Sequence, residues 1–197
     1  MAMTLDGTSG ITQMTGSIVM SGSTSGTTTI IPSAVAGTTT VTMPAATGTM
    51  MVSGNMPAFS AYAQGNQSVA NNTWTKVTLA YEEFDTANCF DSTTNYRFTP
   101  NVAGYYQING MIAGNATATN PTLVSVAIYK NGNTYKRYVT TGDPIDYQSG
   151  TISSIVYLNG STDYVELYAY LRSATAVISG ESNYYVTWMN GCLLRTS

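Results

Sequence analysis

The chain contains no histidine. That absence removes the commonest general base, the commonest metal ligand and any imidazole switch near neutral pH. Charge is nearly as scarce: Asp, Glu, Lys and Arg make up 9% of the 197 residues, against roughly 25% in an ordinary soluble domain. With seven basic residues and a net charge of −3, a nucleic-acid-binding surface is not expected. There are two cysteines, Cys89 and Cys192. They are too far apart in sequence for a local zinc or redox motif. A disulfide between them stays open; two buried free thiols in a reducing compartment is the simpler reading. The N-terminus lacks the basic and apolar regions of an export signal. No apolar run reaches the roughly 18 residues of a membrane span, so no membrane insertion is expected.

The first 55 residues lack Phe, Tyr and Trp altogether, and Asp6 is their only charge. Ser, Thr and Gly supply more than half of them, and seven of the ten methionines fall there. Such a segment buries too little apolar area, at roughly 25 cal/mol per Å², to offset roughly 1–2 kcal/mol of backbone entropy per residue. A disordered linker is one reading. Against it stands an internal echo, "GTTTIIP" (Gly26 to Pro32) followed by "GTTTVTMP" (Gly37 to Pro44). Both are Thr-rich runs leading to apolar residues and then Pro. Short strands that hold only against a partner fit this better, with Ile30, Ile31, Val41 and Met43 as their apolar positions and Val41 and Met43 on one face.

All 21 aromatic residues lie beyond residue 55, among them all fifteen tyrosines. There, alternating segments recur at the spacing of an all-β domain. Strands are expected near Ala58–Ala63, Thr73–Ala80, Tyr96–Phe98, Gly104–Ile112, Leu123–Tyr129, Thr134–Val139, Ile152–Leu158, Tyr164–Leu171 and Tyr184–Leu194. Turn signals at Asn131-Gly132, Gly142-Asp143-Pro144 and Asn159-Gly160 separate several of them. No window keeps a helical period. The fold class is therefore all-β, an antiparallel β-sandwich or jelly roll spanning 56–197, preceded by an extended or short-stranded arm spanning 1–55.

"FTPNVAGYYQING", Phe98 to Gly110, reads as a strand end, a Pro-bearing turn and a two-faced strand. Tyr106, Ile108 and Gly110 share one face; Tyr105, Gln107 and Asn109 share the other. The first face suits a core. The second meets either solvent or a neighbouring subunit.

Catalytic chemistry is hard to assemble. The carboxylates are Glu82, Glu83, Asp85, Asp143, Asp146, Asp163, Glu166 and Glu181, with Asp6 and Asp91 besides. Adjacent Glu82 and Glu83 point to opposite faces of any strand, so they read as loop or solvated positions. A polysaccharide-degrading enzyme needs an acidic pair brought together by folding. "DSTTN" and "GDPID" have the acidic and hydroxyl groups of a calcium contact without the spacing of a calcium loop, and ordinary turns are the simpler reading. No phosphate-binding glycine loop occurs. No catalytic residue, metal or cofactor is expected. Tyrosine, apolar with a polar tip, suits subunit interfaces, strand packing and sugar contacts alike.

Two resemblances sharpen these expectations. "SGSTSGTTTIIPSAVAGTTTVTMPAATGT", Ser21 to Thr49, resembles a segment of bacteriophage fibre and other virion structural proteins, and "MTLDGTSGIT" resembles the starts of such proteins. From Ala58 to Leu194 the chain resembles the jelly roll of the complement-one-q heads and tumour necrosis factor. "AFSA", "YRFTPNVAGYYQI", "VSVAIYKNGN", "ISSIVYLNGSTDYVEL" and "MNGCLL" carry that likeness, in the family's order. The collagen-like stem common in the complement proteins is replaced by the Ser/Thr/Gly region. Ser161-Thr162-Asp163 lengthens the family's usual turn, and Met189 stands where an aromatic is usual. The resemblance implies a homotrimer with Tyr105, Gln107 and Asn109 facing the threefold axis, and Phe98, Tyr106, Ile108 and Leu194 in the sandwich core. The function it implies is a non-enzymatic virion structural protein, assembled in the host cytoplasm. Its partners would be sister subunits and capsid or tail proteins. A chain without a long shaft favours capsid decoration, cement or head fibre. A short tail fibre touching a host-surface glycan is the alternative.

Overall fold

The computed structural model describes residues 18–31, 33, 40–42, 45, 47–48, 50–116, 121–141, 148–181 and 185–197. The chain divides into two compact units, Met1–Thr47 and Gly48–Ser197. The division falls before the compositional break at residue 55, because Met51 already packs against the second unit's core. An unbranched thioether fills such a gap without any aromatic nearby.

In the first unit, β1 (Ile18–Ser21) and β2 (Thr27–Ile30) form an antiparallel hairpin in register Ile18↔Ile30 through Ser21↔Thr27. All eight residues are exposed. Ile30 thus lies in a strand, whereas Ile31 lies just past its end. Val41, expected in a second strand, is unpaired and 83% exposed. A Thr-rich run becomes a strand only where a ladder partner takes up its backbone groups, and none runs beside Val41 among the described residues. Met43 lies outside the described residues.

The second unit holds β3 (Ala58–Tyr62), β4 (Gln67–Ser68), β5 (Thr75–Lys76), β6 (Tyr81–Asp85), β7 (Phe90–Asp91), β8 (Arg97–Phe98) and β9 (Gly104–Ala116). It continues with β10 (Leu123–Lys130), β11 (Asn133–Thr141), β12 (Gln148–Leu158), β13 (Val165–Arg172), β14 (Ala176–Ile178) and β15 (Trp188–Thr196). One sheet runs β4-β14-β9-β15-β3-β6, with β12 on the free side of β9. The other runs β11-β10-β13-β8-β7, with β5 also pairing with β13. Consecutive strands cross between the sheets, from β9 to β10–β11, back to β12, over to β13 and back again. This is an antiparallel jelly-roll sandwich.

Strand alternation builds the core. In β12, Ile152, Val156 and Leu158 turn inward while Thr151, Ile155 and Tyr157 turn outward. Phe59 stacks between Phe98 (4.3 Å between ring centroids) and Phe90 (5.0 Å), and Tyr106 meets Phe98 edge-on. The buried Tyr106 hydroxyl donates to the Val102 carbonyl at 2.7 Å, and burial pushes its pKa well up. Phe98, Tyr106 and Ile108 are fully buried. Leu194 is not: Leu193 is buried and Leu194 is 46% exposed. A pleated strand turns successive side chains to opposite faces, so of two adjacent leucines only one enters the core.

Other strand expectations change as well: the short β4, β7 and β14 lie where the sequence predicts no strand, and β15 begins at Trp188 and runs to Thr196 instead of spanning Tyr184–Leu194. Glu82 and Glu83, read as loop or solvated positions, are solvent-exposed but lie in a strand: residues 81–85 form the edge strand β6, paired with β3 through a bulge at Ser60/Ala61. Charge on both faces hides a strand from the alternation rule, yet suits an edge that must not recruit another chain. The 73–80 segment pairs only at Thr75–Lys76, although Val77 and Leu79 are fully buried as alternation demands.

Turn chemistry closes the frame. Asn131 and Gly132 both have positive φ (52° and 77°), which a two-residue hairpin between β10 and β11 requires. Gly160 has φ +72°, and a Cβ there would lie 2.3 Å from the Ala103 nitrogen. Its neighbour Asn159 accepts from the amides of Ser161, Thr162 and Asp163.

Asp91 opens "DSTTN" and accepts from five donors of its own turn: the amides of Thr93, Thr94 and Asn95, the Thr93 hydroxyl and the Asn95 side chain. These bonds, the Thr94 amide first, hold its carboxyl well below the usual carboxylate range. A folded-state pKa below the unfolded value makes the turn's contribution complete above about pH 4, and that contribution is lost as pH falls through the folded value. Asp91→Ala is therefore expected to cost roughly 1 kcal/mol at pH 7. In thermal melts its gap to the parent protein should narrow between pH 5 and pH 2. A constant gap would refute the linkage.

Candidate functional site

The outward face of the β6-β3-β15-β9-β12 sheet gathers the three residues expected at an interface. Pairing sets Cys192 opposite Gln107 and Asn190 opposite Asn109, while β12 sets Tyr157 opposite Tyr105 and Ser153 opposite Asn109. Non-consecutive segments therefore meet on one surface.

Its centre is a polar network. Gln107 Nε2 donates to Ser153 Oγ at 2.7 Å and to Asn109 Oδ1 at 3.1 Å; Ser153 Oγ donates to Asn109 Oδ1 at 2.8 Å. Asn109 Nδ2 donates to Asn190 Oδ1 at 3.0 Å. Two strands over, Ser60 Oγ donates to Glu83 Oε2 at 2.6 Å. These bonds meet part of the amides' demand; Gln107 Oε1 and Asn190 Nδ2 keep no partner among the described residues, so a surface covering this face must satisfy those two groups.

One end of the face is apolar. Tyr105, Ile155, Leu194 and Arg195 line a shallow depression of about 430 Å³. Ile155 is 52% exposed, and Tyr105 and Tyr157 are 40% exposed and meet edge-on at 5.4 Å. A bulge between Leu193 and Arg195 sets the Arg195 guanidinium 5.3 Å from the centre of the Tyr105 ring. The alternation of "ISSIVYL" carries a signal for Ser153, Ile155 and Tyr157 as one face. The contributions of Leu194, Asn190 and Arg195 are decided by strand pairing and are not legible in their own segment.

The two thiols are free. Cys89 is buried, and burial pushes its pKa up; Cys192 is exposed on this face rather than buried. β15 alternates Gly191 in and Cys192 out, which separates it from the core.

The described carboxylates are dispersed into structural roles. Glu166 is buried against Lys76 at 2.6 Å, and Asp163 pairs with Lys130 at 2.9 Å. The Asn131 amide, then Lys130, holds the Asp163 carboxyl below its usual value. Asp85 accepts from the amides of Ala87 and Phe90. Asp143 and Asp146 lie outside the described residues.

No protein-family model and no curated protein sequence matches the chain. Solved structures do. The globular domain of zebrafish complement 1qA superposes with a TM-score of 0.54 at 14% identity, over 72% of this chain and 99% of that one. Murine APRIL gives 0.54 at 12% identity, over 71% and 99%. Eiger TNF from S. frugiperda gives 0.52 at 11% identity, over 72% and 93%. At these identities the likeness establishes the fold alone: the second unit is an antiparallel jelly-roll sandwich like those of complement-one-q and tumour-necrosis-factor proteins.

Proposed function

We propose that this chain is a non-enzymatic structural protein that assembles as a homotrimer through the outward face of the β6-β3-β15-β9-β12 sheet, and that its Ser/Thr/Gly arm attaches it to a virion. The observation that carries the assembly is that face itself. It joins exposed Tyr105, Ile155, Tyr157 and Leu194 to an amide network that is already hydrogen-bonded. Covering the apolar end gains roughly 25 cal/mol per Å², and the network's internal bonds reduce the number of amide groups a partner must satisfy. The threefold symmetry rests on the resemblance of the sandwich to its family.

The virion role rests on the arm's resemblance to phage fibre segments and on its hairpin. A lone two-stranded hairpin is marginal in water, and this one exposes Ile18, Met20 and Ile30 together on one face. Such a hairpin needs a partner, either sister arms or a virion protein. Capsid decoration is the preferred placement.

Light scattering on the purified protein is expected to give three times 20.9 kDa; a monomer at all concentrations would sink the assembly. Deleting Met1–Thr47 is expected to leave a folded trimer that no longer joins the particle, whereas continued incorporation would remove the arm's role. Labelled antibody on intact particles should decorate the capsid. Label at the tail tips would assign the short tail-fibre reading instead.

A further inference from the structure

We propose that the outer face of the opposite sheet carries a binding site for a carboxylate-bearing sugar residue, built by Trp74, Tyr170, Arg137 and Arg172. Its floor follows from register. Ser125 of β10 lies between Val139 of β11 and Tyr170 of β13, and Ala127 lies between Arg137 and Tyr168. Their neighbours Val124, Val126, Leu167 and Leu171 belong to the sandwich core and Ser125 and Ala127 do not, so strand alternation puts this row on the sheet's outer face, where both small residues lie beneath the larger side chains around them. Small residues flanked by large ones leave a depression of about 270 Å³, lined by Trp74, Tyr170, Arg137 and Arg172 with Leu123, Ser125 and Val139. That volume suits one sugar ring better than a strand or a helix.

The walls are aromatic and cationic. Trp74 stands 5.5 Å from Tyr170 between ring centroids, the planes tilted by 50°. Asn72 Oδ1 accepts from the Tyr170 hydroxyl at 3.0 Å and from Arg172 Nε at 3.3 Å. That amide holds the ring in place and leaves the terminal guanidinium nitrogens of Arg172 to a ligand. A pyranose stacks its C–H face on such a ring, while its hydroxyls reach polar neighbours such as Ser125.

Charge selects an acidic sugar. The chain is acidic overall and has seven basic residues. Lys76 and Lys130 are neutralised by Glu166 and Asp163, and Arg97, Lys136 and Arg195 lie over Tyr164, Tyr135 and Tyr105. Arg137 and Arg172 form no ion pair among the described residues, and no carboxylate lines the depression. Guanidinium groups beside an aromatic surface match a planar carboxylate on a ring. Two cations on a chain of net charge −3 do not suit a polyphosphate backbone. The site lies on the sheet opposite the proposed assembly face, so either proposal can fail without the other.

Calorimetry on the full-length protein tests it, with a galacturonic acid hexasaccharide and an α2,8-linked sialic acid hexamer as probes. Binding of at least one is expected, with no binding of a neutral galactose hexasaccharide. Arg137→Gln with Arg172→Gln, both exposed positions, should weaken it at least tenfold, as should Trp74→Phe with Tyr170→Ala. Raising NaCl from 50 to 500 mM should weaken it as well. Failure of both acidic probes, or binding unchanged by the arginine pair, would overturn the proposal. Equal or tighter binding of hexaglutamate or an oligonucleotide would overturn it in favour of an acidic peptide or nucleic-acid surface.

Discussion

Ile155→Asp combined with Leu194→Asp is expected to convert the proposed trimer into 20.9 kDa protomers without loss of fold. Both side chains are about half exposed in the protomer and line the same depression. In the free chain the carboxylates meet water and cost little. In an assembly closed over this face they would be desolvated beside one another and their symmetry copies, where like charges repel. A loss of roughly 3 kcal/mol per protomer, about a hundredfold each, is multiplied by the number of copies. Light scattering over a concentration series measures it, with circular dichroism confirming an unchanged sandwich. Val139→Asp, on the opposite sheet, is the matched control and should leave the assembly intact. A double variant that keeps three times the protomer mass would exclude this face as the interface.

Phe59→Ala is expected to cost about 3–5 kcal/mol. Phe59 is fully buried, and its ring stacks on Phe98 at 4.3 Å and on Phe90 at 5.0 Å. Through Phe98 the stack reaches Tyr106, so the side chain ties β3 of one sheet to β7 and β8 of the other. Truncation removes a large apolar side chain and leaves a cavity walled by rings that cannot all close on it. The melting temperature should fall by roughly 10 °C. Leu194→Ala, by contrast, should change protomer stability by less than about 0.5 kcal/mol. Denaturant unfolding of both variants in the monomeric Ile155→Asp, Leu194→Asp background for Phe59→Ala, and at low protein concentration for Leu194→Ala, separates folding from assembly. A Phe59→Ala cost below 1 kcal/mol would mean the aromatic stack is not central to the core.

The sequence by itself determines that the chain is all-β. Period-two alternation in "ISSIVYL" and "YYQING", the Asn131-Gly132 turn and the absence of any helical period all act within a few residues, where backbone sterics decide. It also determines the two-faced character of β9, since Tyr105 and Tyr106 must point apart in any pleated strand. Tertiary structure alone decided what each face meets. The Glu82-Glu83 strand was hidden because an edge strand with both faces in water leaves no alternation to read. Leu194 became a surface residue through the strand's phase, and the Leu193/Arg195 bulge then placed Arg195 over Tyr105. The Gln107–Asn109–Asn190–Ser153 network joins three strands, and the Arg137 and Arg172 pair joins two more across Leu123 and Ser125. Register between strands far apart in sequence depends on every strand packed beside them, so no single segment carries it.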